Sequence, residues 1–259
     1  MSALTATIAG IGFWNDGLPS WSSAQAFAAT GALPDAAPAR PSPQLLAPNE
    51  RRRAPGSVAV ALEVALAACQ AAGRDPASLP SVFASTHGEL AITDYMCETL
   101  AQDPTAISPT KFHNSVHNAA AGYWTIGAGC TEAATAISAY DATFAQGLVE
   151  AMLQLAAGSE AVLLVAYDGT AAGLLSTMSP SEGLLGGALV LTREGDGPRL
   201  SATLRDGDAS AAPGPLSARA PRNAMAAQML PLFDALATGS DRAVLRAGPH
   251  RELALEILR

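Results

Sequence analysis

Residues 134–150 read ATAISAYDATFAQGLVE. The stretch predicts a strand over Ala134–Tyr140 that enters a helix over Asp141–Ala157. A strand-to-helix elbow exposes one side chain at the positive end of a helix. A cysteine at that place would be acidified and nucleophilic. An aspartate acts differently. Asp141 is expected to cap the helix, accepting backbone N–H bonds that keep its carboxylate ionised and make it a poor attacker of thioesters.

Outward from the elbow, Glu160–Tyr167 is apolar throughout and predicts a buried strand. Upstream, Lys111–Trp124 predicts a helix whose small residues Ala119–Gly122 permit close packing. Ser81–Thr86 predicts a buried strand and Glu89–Ala101 a helix. Ser57–Ala72 predicts a helix with Val58, Leu62, Ala65, Leu66 and Cys69 on one stripe, ended by Gly73. Residues 33–55 hold six prolines and no period, which predicts a surface loop, and Ala6–Phe13 a buried strand. Downstream come a strand pair over Ala188–Thr192 and Arg199–Leu204 and a helix around Asn223–Ala237. A strand over Ala243–Ala247 and a short C-terminal helix complete the prediction. Strands alternating with helices predict an α/β layered fold in a single domain over 1–259.

The chain has 259 residues, 49% hydrophobic and 15% charged, so a sizeable core is expected and dominant disorder is excluded. A net charge of −8 argues against a nucleic-acid binder and against docking on anionic lipid. No export signal or spanning segment is recognised, and a cytoplasmic location is expected. Cys69, Cys97 and Cys130 are odd in number and far apart, which predicts reduced thiols rather than a disulfide framework.

The short motifs are weak. Gly10-Ile11-Gly12 follows a strand but lacks the helix that a dinucleotide fingerprint needs. His113 and His117 stand four apart on the predicted helix, a spacing that can chelate zinc, yet Asn114 replaces the carboxylate of that motif and no third ligand is near. No metal and no cofactor is expected. His87 lies in a strand-to-helix turn and either lines a site, caps the turn or contacts solvent. Arg51-Arg52-Arg53 is the one basic cluster, suited to an acidic carrier protein or a pantetheine phosphate, or else a solvated loop or one paired with the chain's own carboxylates.

Asn118-Ala119-Ala120-Ala121-Gly122, Ile137-Ser138-Ala139-Tyr140-Asp141, Leu148-Val149-Glu150-Ala151 and Ala161–Gly169 follow one another in the order seen in one family. Ser181–Leu191 supplies a glycine-rich segment opening a later strand, and Val82–Glu89 a second strand and its turn. In these runs the chain resembles the β-ketoacyl synthases of the thiolase superfamily. The resemblance covers about residues 6–205 and corresponds to the N-terminal half of such an enzyme, with 206–259 as a weakly matched extension. HNSVHNAAAGYW and SAYDATFAQGL are most similar to the short ketosynthase-like chain length factors of aryl polyene and xanthomonadin-type pigment pathways.

The resemblance implies a thiolase-like layered fold of helices on a mixed sheet. It also implies a subunit that pairs with a full-length ketosynthase, shapes the far end of its acyl tunnel and meets an acyl carrier protein. Asp141 stands at the position matched to the family's acyl-accepting cysteine. The family's two catalytic histidines have no counterpart, since His250 in Gly248-Pro249-His250-Arg251 fits neither motif, and Cys130 lies eleven positions before Asp141. A silent subunit is therefore expected, with Phe112, His113, Val116 and Trp124 as candidate tunnel-gate or interface residues, whose competing reading is ordinary packing. Two other readings stay open. One is a stand-alone acyltransferase or thioester hydrolase using His87, His117 or Asp141 as base. The other is a carrier-binding module working through Arg51–Arg53. Without its proper partner, the isolated chain is expected to be sticky or self-paired.

Overall fold

The computed structural model describes residues 3–210 and 212–259. Strand β1 (Leu4–Asn15) leads through helix α1 (Trp21–Thr30), a proline-rich loop and the short α2 (Pro48–Arg53) to α3 (Gly56–Ala71). Next come β2 (Ser81–Ala84), α4 (Leu90–Gln102), α5 (Pro109–Asn114), α6 (Ala119–Ala128), β3 (Ala134–Ile137), α7 (Thr143–Ala156) and β4 (Ala161–Asp168). The chain closes with β5 (Leu185–Thr192), β6 (Arg199–Asp206), α8 (Pro215–Arg219), α9 (Ala226–Thr238), β7 (Arg242–Gly248) and β8 (Arg251–Leu258).

One eight-stranded mixed sheet runs in the order β3-β2-β4-β5-β1-β6-β8-β7. β3, β2 and β4 are parallel, and the remaining neighbours are antiparallel. Helices cover both faces, so the α/β layered architecture expected from the alternation is the one found. One core joins α3 and α6 to the sheet through Val60, Val64, Phe83, Trp124, Leu163 and Val190. The other joins α7 and α9 through Phe144, Leu148, Leu164, Leu189, Leu230 and Phe233. Every residue of β4 and β5 is buried, as strands sandwiched between helical layers require.

Gly10 and Gly12 of β1 serve this layering. A Cβ on Gly12 would stand 1.9 Å from the Val64 carbonyl oxygen, and one on Gly10 2.3 Å from that of Ala68. The backbone of α3 thus lies directly on β1, and these glycines are packing residues. Helix α1, which shows no long apolar stripe in sequence, is set by its ends. Ser20 and Ser23 form a reciprocal cap at its start, and Gly31 turns left-handed at its end (φ 73°).

Five sequence expectations are corrected. The 33–55 segment is not loop throughout, since Pro48–Arg53 form α2 with proline at its first position. Lys111–Trp124 is two helices, broken at Ser115–Asn118, where the Ser115 hydroxyl bonds back to the Phe112 carbonyl and ends the turn. His113 and His117 therefore share no helix face. The segments 188–192 and 199–204 are strands but not partners, because β1 runs between them. The C-terminal segment is a strand. β8 is held between β6 and β7, with Leu253, Leu255 and Ile257 alternating into the core. Its Glu, Leu and Ala content favours a helix locally, and strand pairing on both sides overrides that preference. Finally, Asp141 does not cap α7, as the site shows.

Candidate functional site

The parallel strands β2, β3 and β4 end together, and the segments leaving them (85–88, 138–142 and 169–177) form one rim. Such a rim, beyond the carboxyl ends of parallel strands, is where α/β sheets place their sites.

At the elbow, Tyr140 carries a left-handed backbone (φ 52°), one position before Asp141. A non-glycine residue held there is strained, and the surrounding contacts must pin it. Thr143 does so. Its hydroxyl accepts the Ala139 N–H at 2.9 Å and donates to the Tyr140 carbonyl at 2.7 Å. The Tyr140 side chain projects outward and is exposed, with the His87 ring edge-on at 6.2 Å. Asp141 makes no capping hydrogen bond to α7. Its carboxylate pairs with Arg246 of β7 at 2.7 Å, with both side chains partly exposed. Together they border a cleft of about 590 Å³ between the elbow, α9 and the segments 209–210 and 212–221. An ion pair from the far edge of the sheet outcompeted the local cap. A linear reading has no means of seeing that partner.

Beneath the rim lies a residue that sequence reasoning passed over. Asp168, at the end of β4, is 4% exposed. Its carboxylate accepts the Ser85 hydroxyl at 2.7 Å, the Thr86 hydroxyl at 2.6 Å and the Thr86 N–H at 3.1 Å. Burial raises its pKa to about 6, against the pull of these donors. Gln228 of α9 donates to the Thr86 hydroxyl at 3.0 Å, and Asn223 to the Asp168 carbonyl at 3.2 Å. The turn held this way reaches two further segments. Ser138 donates to the Thr86 carbonyl at 2.8 Å, and the His117 ring bonds the Ser85 carbonyl at 2.8 Å. Burial and the neighbouring His117 lower the pKa of His87, whose Nε2 is buried without a protein partner. The one advance signal was an acidic residue ending an otherwise apolar strand.

The four gate candidates separate. Phe112 and Val116 are 59% and 45% exposed, and His113 lies on the surface against the edge of Tyr123. Trp124 is fully buried against Phe83, so it is a core residue and no part of an accessible gate. Arg51 and Arg52 lie on α2 and, with Arg40, border a second cleft of about 600 Å³ floored by Ala59 and Leu184. Arg51 also donates to the Leu46 carbonyl, and Arg52 to Asn49. Among the described residues, none of Arg40, Arg51, Arg52 and Arg53 is in an ion pair.

Neither buried thiol is near the elbow. Cys130 donates to the Leu79 carbonyl, before the start of β2 and so at the opposite end of the parallel strands. Burial pushes the Cys69 thiol up to about 12, which makes it unreactive. Cys97 is exposed on α4. No cluster of three metal-ligating side chains occurs among the described residues, and no helix there is long and apolar enough to cross a membrane.

The profile described as beta-ketoacyl synthase, N-terminal domain, matches residues 20–252. No curated protein matches the chain. Among solved structures it is similar to a chain of the ketosynthase ApeO in complex with its chain length factor ApeC from Xenorhabdus doucetiae. The identity is 25% and the TM-score 0.78, over 98% of this chain and 99% of that one. It is also similar to a chain of the ishigamide ketosynthase/chain length factor (15% identity, TM-score 0.70, 98% and 100% covered). A β-ketoacyl synthase from Burkholderia phymatum STM815 follows at 12% identity and a TM-score of 0.57, over 93% of this chain and 71% of that one. These last two likenesses concern the fold alone.

Proposed function

Because the chain belongs to the β-ketoacyl synthase N-terminal domain family, we propose that it is a catalytically silent, ketosynthase-like chain length factor. It pairs with an active β-ketoacyl synthase and limits the length of the acyl chain made there. The observation that carries this reading is the elbow. Counted at 140 or at 141, it offers a phenol or a paired carboxylate where an acyl-accepting sulfur would be needed. The likeness to a chain of the ketosynthase–chain length factor complex supports the same assignment.

Two features support pairing at the rim. β3 is an edge strand whose sequence, Ala-Thr-Ala-Ile, carries no charge, proline or other device against edge-to-edge association. Large apolar side chains are also exposed: Tyr140, three residues after β3, and Phe112, Val116, Leu174 and Met178 on other segments, the last two at 85% and 77%. An active ketosynthase is the occupant proposed for this face. The mechanism is steric. A chain growing in the partner's tunnel meets bulky side chains from this subunit, and another two-carbon unit would force overpacking.

The basic cleft extends the proposal to the carrier. In a chain of net charge −8, three arginines outside any ion pair, Arg40, Arg51 and Arg52, gather beside an apolar floor, with Arg53 next to them on α2. An acidic acyl carrier protein complements that surface. The pathway proposed is an aryl polyene or xanthomonadin-type pigment route, on the resemblance of the 112–124 and 138–148 runs.

The test is reconstitution with the cognate ketosynthase and acyl carrier. Phe112→Ala is expected to shift the product distribution toward longer chains, and an unchanged distribution removes Phe112 from the gate. Purified alone with acyl thioesters, the chain is expected to show no turnover. Turnover that disappears in Asp141→Ala would overturn the silent-subunit reading.

A further inference from the structure

The geometry points to Asp168 as a positioning residue that fixes the elbow and the gate segment relative to each other from below. Both hang on the same turn. Ser85 and Thr86 are bound to the Asp168 carboxylate at 2.6–3.1 Å through two hydroxyls and one N–H. From that turn, the Thr86 carbonyl takes the Ser138 hydroxyl, which sets the entry to the elbow. The Ser85 carbonyl takes the His117 ring, and His117 lies in the break that follows Phe112 and includes Val116. The Thr86 hydroxyl takes Gln228, which borders the Arg246 cleft. The Ser85 hydroxyl, donating to Asp168, also accepts the Gly88 N–H at 2.9 Å and closes the turn.

The partners leave little freedom. A carboxylate is an acceptor alone, so every group facing it must donate. Thr86 spends its hydroxyl proton on Asp168 and is left to accept from Gln228, and the Ser85 hydroxyl is oriented in the same way. Asp168 thereby sets the donor direction of each hydroxyl in the network. In Asp168→Asn, one side of the group becomes an N–H₂ donor against Thr86, whose hydroxyl must reverse and compete with Gln228. The turn then shifts, and the elbow and the 115–118 break shift with it.

The experiment places 3-fluorotyrosine at position 140 and labels the histidine rings with ¹⁵N in the full chain. The ¹⁹F signal of residue 140 and the ring nitrogens of His117 are recorded for wild type, Asp168→Asn, Thr86→Val and Asp234→Asn. Asp234 is a second buried carboxylate, bound to Leu216 N–H and to Ser217, away from the turn. Asp168→Asn and Thr86→Val are expected to move both signals, and Asp234→Asn only to lower stability. Thr86→Val carries the test if Asp168→Asn fails to fold. Unmoved signals in the variants that fold, or equal movement in Asp234→Asn, would overturn the inference.

A product readout rests on the chain length factor reading, and the resonances do not. Paired with the ketosynthase, the variants that move the signals are expected to change the ratio of longer to shorter product about twofold or more. Moved signals with an unchanged ratio leave the positioning role standing and remove the gate reading instead.

Discussion

At the scale of one residue, two opposed effects set the proton affinity of Asp168. Burial favours the neutral acid, the donors from Ser85 and Thr86 favour the anion, and burial wins, raising the pKa to about 6 from 3.8. A group whose folded pKa is raised favours folding most below its unfolded pKa, and that advantage is lost as pH rises through the folded value. From this group, stability increases as pH falls from about 6 toward about 4, by up to roughly 3 kcal/mol. Urea unfolding across pH 4–7.5 should show that increment in the wild type and not in Asp168→Asn, once the two curves are subtracted. The same residue marks where sequence reading stops. Asp141 could be assigned a role from its neighbours alone, and the role was wrong because Arg246 reaches it from β7. Asp168 could be given no role, because its partners lie 82 and 83 positions away.

At the scale of elements, legibility followed how local the determining forces are. Helix α3 was readable because its apolar stripe lies within it and Gly73 stands just past its end. The helix break after Asn114 and the strand β8 were misread, since a back-bonded serine and two strand partners oppose the local preference. Gly12 shows the reverse, a residue with no local purpose and a strict tertiary one. Gly12→Ala drives a methyl group into the Val64 carbonyl and is expected to cost about 3 kcal/mol or more, read as a drop in melting temperature. Gly122→Ala meets nothing within 4 Å on a helix and should instead stabilise the isolated chain by about 0.5–1 kcal/mol.

At the scale of the whole molecule, the sheet is unequally finished. At one end the edge strand β7 bears Arg242 and Arg246, whereas β3 at the other end is uncharged and is followed three residues on by the exposed Tyr140. An edge of the second kind is a template for another strand. Thr135→Lys is expected to reduce recovery of the complex with the ketosynthase about tenfold or more, while the isolated chain melts within a few degrees of the wild type. Sedimentation of the wild-type chain alone should show self-association that the same substitution weakens, and a monomer at all concentrations would argue against this edge as the interface. By itself, the sequence determined the α/β layering, the order of the segments around the elbow and the lack of sulfur there, because periodicity and residue identity are written along the chain. Tertiary structure alone decided which strand lies between which, that Asp141 pairs instead of capping, and that Asp168 governs the rim. Those outcomes depend on burial and on partners far apart in sequence, and neither exists until the two helical layers close on the sheet.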